Sequence, residues 1–209
     1  MTTDIDTAIK RIECGIGYGV LYLAHGLAID GAKAIAEEWS RLAARGMIEY
    51  ARFYPEKLYN KDKPLLQDTY TLLRGLSFNI DVTADSAIVY ISIDDDVEPR
   101  NQKSIKDIFW YQTHGVYKKE NDVVIINIPA RPVFYDVLGQ VRMAKAVKIG
   151  IKKRNIESMQ YNFDNGFDKG RNYRYTNPTT IMQNAKKSIK PKTLVGKISN
   201  YNTGELRWF

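Results

Sequence analysis

The stretch Asn127-Ile128-Pro129-Ala130-Arg131-Pro132-Val133-Phe134 sets two prolines around an arginine, between an apolar run and a helical pattern. Proline fixes its own φ at about −65° and drives the preceding residue out of helical angles, so Ile128 and Arg131 are expected in extended or turn conformations. Upstream, Asp122-Val123-Val124-Ile125-Ile126-Asn127-Ile128 is short, β-branched and apolar, the pattern of a strand buried on at least one face. Downstream, Phe134, Val137, Leu138, Val141, Ala144 and Val147 recur at three- and four-residue steps, which places them on one face of a helix. Arg131 therefore stands at a rigid corner. Hydrogen bonding to nearby carbonyls explains an arginine there; a catalytic arginine is the other reading.

Before this corner, Leu65, Leu66, Leu72, Leu73 and Leu76 cluster on a helical face, with Asp68 or Thr69 able to cap it by accepting a hydrogen bond from an unpaired amide. Phe78 to Val82 and Ala87 to Ile93 read as two strands joined by a turn at Thr83 to Ser86. Asp94, Asp95, Asp96 and Glu98 follow. They lack the central glycine and distant glutamate of an EF-hand, and a solvated loop accounts for them better than a cation site. Ile105 to Tyr111 is a short apolar and aromatic helical segment leading to His114-Gly115. Residues 65–150 thus read as helix, hairpin, short helix, strand and helix, an α+β order with a small antiparallel sheet.

At the start of the chain, Ile5, Ala8, Ile9, Ile12 and Ile16 have helical spacing, and a second pattern runs through Ile35, Trp39, Leu42 and Ala43 to about Tyr50. Two helices are expected there. Gly15, Gly17 and Gly19 lie between them, and this run has the outline of a phosphate-binding loop but follows a helical pattern and lacks a Lys-Ser/Thr after it. Small residues that let helices approach closely explain it better. Cys14 to Ile29 carries no charged side chain, yet it is shorter than the roughly 20 residues of a membrane span and is interrupted by glycine. Neither a transmembrane helix nor a signal peptide is expected, the latter because Asp4 and Asp6 occupy the place of a basic leader.

Cys14 is the only cysteine, so there is no intramolecular disulfide, and His25 and His114 are the only histidines, too few for a histidine-based metal centre. No Ser/His/Asp set, catalytic carboxylate pair or credible phosphate loop is present. No enzyme, metal or cofactor is expected. The 209 residues are 44% hydrophobic and 26% charged, ordinary for a folded chain. The net charge of +7 is uneven: residues 160–209 hold 9 of the 31 Lys+Arg but only 3 of the 24 Asp+Glu. That segment interleaves Tyr173, Arg174, Tyr175, Lys186, Lys187, Arg207, Trp208 and Phe209, the residue types of a partner-binding arm. Nucleic acid is the rival partner for such a composition.

The order of these signals resembles that of the neck, or virion-morphogenesis and tail-completion, proteins of tailed bacteriophages. In that family a segment L-x-D-T-G-x-L-R-x-S leads into a hairpin, then an aromatic Y-x-x-x-H-x-x-G segment, then I-P-A-R-P-F. Here the first is Leu66-Gln67-Asp68-Thr69-Tyr70-Thr71-Leu72-Leu73-Arg74-Gly75-Leu76-Ser77, with Tyr70 where glycine is usual. The second is approximated by Tyr111-Gln112-Thr113-His114-Gly115, and the third is Ile128-Pro129-Ala130-Arg131-Pro132-Val133-Phe134, with Val133 inserted. The similarity covers about residues 28–150, and the last fifty-odd residues have no counterpart in it.

Periodicity, composition and this resemblance together give an α+β fold: an N-terminal helical segment over residues 1–27, a neck-protein-like core over 28–158 with helices packed on a small antiparallel sheet, and, from composition, an extended C-terminal arm over 159–209. The resemblance implies a structural virion protein of the head-tail connector, assembled in the host cytoplasm and closing into a homo-oligomeric ring between the DNA-filled head and the tail. Its partners would be copies of itself and other connector layers (portal, adaptor, stopper or tail terminator), with contact to the passing DNA and none to a membrane. The motif residues Asp68, Thr69, Leu73, Arg74, Tyr111, His114, Gly115, Ile128, Pro129, Ala130, Arg131, Pro132 and Phe134 would be structural. A basic nucleic-acid-binding protein acting through the C-terminal arm is the alternative.

Overall fold

A computed structural model describes residues 2–53, 71–94, 104–120, 123–128, 143–153, 156–172 and 178–209. In chain order these form helix α1 (Thr2–Phe53), a short α2 (Thr71–Arg74), strands β1 (Leu76–Val82) and β2 (Ala87–Ile93), helix α3 (Ile105–His114), and strands β3 (Val116–Glu120) and β4 (Val123–Ile128). Helices α4 (Met143–Lys153), α5 (Ile156–Arg171) and α6 (Pro178–Ser188) follow, and then strands β5 (Lys192–Asn200) and β6 (Glu205–Trp208). The class is α+β: helices with a four-stranded antiparallel sheet in the order β2-β1-β5-β6, and a separate hairpin β3-β4.

The β1-β2 hairpin forms where alternation and turn residues predict it. Its turn is held by Thr83, whose amide donates to the Ser86 carbonyl at 2.8 Å while its hydroxyl accepts from the Ser86 amide at 3.1 Å. Where two N-terminal helices are expected, one helix of 52 residues runs through the glycine run. A glycine inside a helix costs about 1 kcal/mol against alanine, a cost that packing can offset and here does. The strand ending at Ile128 is present, paired with a β3 that the sequence reading did not identify. The prolines, Arg131 and the first part of the helix expected after them fall outside the described residues, and the helical pattern continues as α4.

Residues 159–209 do not stand apart as an extended arm. They supply most of α5, all of α6, and the two strands β5 and β6, with β5 hydrogen-bonded between β1 and β6 in the main sheet. Leu194, Gly196 and Ile198 share one face of β5 at the strand period, a signal diluted by Lys192 and the glycine on that face and by Val195 on the other. Gly196 is required by packing, because a Cβ there would stand 3.0 Å from the Trp208 ring and 3.2 Å from the Phe78 carbonyl oxygen.

Two compact units interleave along the chain: Met1–Ala34, Ile80–Val89 and Met143–Leu194 form the first, and Ile35–Asn79, Tyr90–Arg142 and Val195–Phe209 the second. The first has its core at Cys14, Tyr18, Leu21, Ala185 and Ile189. The second buries Leu72, Leu73, Leu76, Phe78, Ile105 and Phe109. In the second unit the Ser40 hydroxyl donates to the Gly204 carbonyl at 2.6 Å, and Gly204 has a φ of 73°, in the left-handed region that glycine adopts without penalty.

Candidate assembly surface

Helix α1 carries apolar or small residues on three faces. On the first, Gly15 and Gly19 meet α5. A Cβ on Gly170 would stand 2.5 Å from the Cys14 carbonyl oxygen and 2.8 Å from the Gly15 Cα. One on Gly166 would stand 2.6 Å from the Tyr18 carbonyl oxygen and 2.9 Å from the Gly19 Cα. Reciprocally, a Cβ on Gly15 would reach the Phe167 ring at 2.8 Å, and one on Gly19 the Phe163 ring at 2.7 Å. The order is reversed between the helices, so α1 and α5 run antiparallel, backbone against backbone, through glycines spaced four apart on each. Further along α1, Gly31 lies against Val147 of α4 and Gly150 against the Asp30 carbonyl and Ala34, on the side of the helix that carries Ile9, Ile12 and Ile16 nearer its start. Close helix approach is thus the role of the glycine run, as its composition suggests, and its partner is in the last third of the chain.

The second face holds Cys14, Tyr18 and Leu21 against Ala185 and Ile189 at the end of α6. Burial pushes the Cys14 thiol pKa up, which keeps it protonated and inert. At the rim of this face the Tyr22 hydroxyl lies 3.0 Å from the Ser188 hydroxyl and accepts from Lys169 Nζ at 3.1 Å, with the ammonium also 4.7 Å from the Tyr22 ring centroid. His25 lies one turn further on, half-buried. Its pKa is lowered by burial first and by the Lys192 charge second, against a smaller opposing hydrogen bond to the Thr83 backbone.

The third face is open. Ile5, Ile9, Ile12, Ile16 and Val20 are between 48% and 64% exposed, the densest run of solvent-facing apolar side chains among the described residues. At about 100° per residue these five fall within an arc on nearly the opposite side of the helix from Cys14, Tyr18 and Leu21. The steps of four, three and four between the isoleucines follow the seam of a helix that packs on another helix. By length and composition α1 could also cross a membrane between Asp4 and Gly46. Its glycine face and its Cys14 face are occupied by protein, and Asp6, Lys10, Arg11 and Glu13 lie alongside the first isoleucines.

Of the residues marked out by sequence motifs, only some lie among the described residues. Leu73 is buried in α2, Arg74 beside it is exposed, and Gly115 has a φ of 74° where α3 gives way to β3. His114 stacks on Trp110 at 4.8 Å between ring centroids, with its Nδ1 3.1 Å from the Trp110 carbonyl, at the end of the helix. Tyr111 lies within α3 and Ile128 ends β4. Asp68, Thr69, Pro129, Ala130, Arg131, Pro132, Phe134, Tyr173, Arg174 and Tyr175 are outside the described residues. Of the arm residues, Lys186 pairs with Asp85 at 2.7 Å, Lys187 is exposed, and Arg207 lies 5.3 Å from the Phe209 ring centroid. Trp208 packs over Gly196 in the sheet, and the Phe209 amide donates to the Val195 carbonyl at 2.9 Å. Asp94, from the acidic run, is an ion-pair partner of Lys197 and accepts from the Ser77 hydroxyl at 2.8 Å. It has a structural task. No cluster of three metal-ligating side chains occurs among the described residues.

The isoleucine stripe was visible in the sequence as a periodic helical face. What betrays a second role is the separate face formed by Cys14, Tyr18 and Leu21, because a helix apolar on opposite sides needs more than one neighbour. No protein-family model, curated protein or solved structure matches this chain.

Proposed function

We propose that this protein is a structural component of the bacteriophage head-tail connector, working by self-assembly into an oligomeric ring and performing no chemical step. The observation that carries the self-assembly is the isoleucine stripe of α1, exposed while the other two apolar faces of that helix are filled. Monomeric proteins rarely leave a contiguous apolar strip of this kind in water. The occupant is a second copy of the chain. A 4-3-4 isoleucine seam matches another helix, and the acidic and basic residues beside its first turns would be unfavourable in lipid. The placement in a connector rests on the motif order Asp68-Thr69, His114-Gly115 and Ile128-Pro129-Ala130-Arg131-Pro132.

Light scattering after size exclusion, together with electron microscopy of the purified protein, tests this. The wild-type chain should give one discrete oligomer with a ring-like projection, and the Ile9→Asp/Ile12→Asp variant should give a folded monomer. A wild-type monomer at every concentration, or a double variant of unchanged oligomer size, overturns the reading.

A further inference from the structure

The positive charge of the chain is concentrated in its first unit, which holds 15 of the 31 Lys+Arg but only 9 of the 24 Asp+Glu and so carries +6 of the +7. Within that unit α4 contains no acidic residue at all. Lys145, Lys148 and Lys152 recur at steps of three and four, on one side of the helix, and all three are exposed. None has an ion-pair partner among the described residues. Lys186 of α6, by contrast, is paired with Asp85.

The opposite side of α4 explains why the row is held in place. Ala146 is buried, Val147 lies against Gly31, and Gly150 sits on the Asp30 backbone and the Ala34 side chain, so the helix is pressed onto α1 along its length. The lysines are thereby fixed outward over a span of about 10 Å, from seven residues at about 1.5 Å each. A basic amphipathic helix that lies on a membrane inserts its apolar face among the lipid chains. In α4 that face is already used against α1, and what remains for a partner is a row of ammonium groups with a single exposed apolar side chain, Ile149, beside it.

We infer that Lys145, Lys148 and Lys152 form a contact site for the phosphate backbone of duplex DNA. Duplex DNA presents a negative charge about every 1.7 Å along its axis, so a 10 Å row of cations faces several phosphates at once. Contacts from this row to phosphate oxygens carry no sequence information, so the binding is independent of sequence. The site lies outside the C-terminal segment that composition alone marks as basic. It rests on the charge and packing of α4 and not on the connector assignment.

The test is fluorescence anisotropy of a labelled mixed-sequence duplex titrated with the full-length protein over a series of salt concentrations. Each phosphate neutralised contributes about 0.9 to the slope of log affinity against log salt. The K145Q/K148Q/K152Q variant should bind more weakly and flatten that slope by about 2.7, and K148Q alone by about 0.9. A K187Q/K190Q variant should keep the wild-type slope. The site is refuted by a wild-type protein that does not bind DNA, by an unchanged slope in the triple variant, or by a slope that falls with K187Q/K190Q instead. Loss of binding to anionic vesicles in the triple variant, with DNA binding intact, also refutes it. The magnitudes are per protomer on the duplex; the direction of the slope change stands whether or not the protein forms rings.

Discussion

Replacing Gly166 and Gly170 by alanine probes the contact that places the last third of the chain against the first. In water-exposed helix, each Gly→Ala change would stabilise by about 1 kcal/mol through helix propensity. Here the added methyl carbons would meet backbone: the Tyr18 carbonyl oxygen at 2.6 Å for residue 166 and the Cys14 carbonyl oxygen at 2.5 Å for residue 170. Backbone of a long helix cannot swing aside, so α1 and α5 must separate. Overpacking of this severity costs about 2–3 kcal/mol, which leaves each variant about 1–2 kcal/mol less stable after the propensity gain. For a chain of this size that is a Tm lower by about 2–8 °C.

The contrast is Gly15→Ala, whose methyl group would meet only the Phe167 ring, at 2.8 Å. A side chain can rotate away, and the propensity gain should bring this variant close to wild type. Thermal and urea unfolding followed by circular dichroism, at one protein concentration, measure all three. If Gly170→Ala is as stable as wild type, or Gly15→Ala is as damaging as Gly170→Ala, the backbone-on-backbone approach of α1 and α5 is wrong.

Further expectations follow from single positions. Gly204→Ala should destabilise by more than 1 kcal/mol, roughly, since it combines a left-handed backbone with a Cβ 2.5 Å from the Ser40 carbonyl oxygen; a melting curve equal to wild type would contradict this. Asp94→Ala should cost about 1–3 kcal/mol by stripping the buried Ser77 hydroxyl of its acceptor and Lys197 of its partner. The check is denaturant unfolding, with Asp94→Asn expected to retain part of the loss. His25 has a folded pKa below its ordinary value of 6.5, so the unfolded chain binds its proton more readily. Its contribution is therefore fully present above pH 6.5 and is lost as pH falls from there toward the folded pKa. His25→Gln should flatten the stability profile in that window, and an unchanged profile would assign the slope to other groups.

How much of this could be read from the sequence depends on the range of the interaction that fixes each element. The β1-β2 hairpin was legible because its strands alternate over consecutive residues and its Thr83 to Ser86 turn closes locally. Helix α3 was legible for the same reason. The continuity of α1 through Gly15, Gly17 and Gly19 was not, because local propensity argues for a break and the compensation comes from Phe163, Gly166, Phe167, Gly170 and Ile181, some 150 residues away. Strand β5 was hidden in the same way, since Lys192, Val195 and Gly196 weaken its alternation and its place is secured by pairing with β1 and β6. The candidate surface shows the converse case. Ile5, Ile9, Ile12 and Ile16 gave a clear helical face, but periodicity reports only that a face seeks a partner and not whether that partner lies in the same chain. The answer requires knowing what already covers the other sides of α1. Once α5 fills the glycine face and α6 the Cys14 face, no described residue of the first unit covers the isoleucines, and it is on this exposure that the proposal of self-assembly rests. The lysines of α4 follow the same logic: their spacing was in the sequence, but their meaning as a charge row depends on α1 taking up the apolar side of that helix.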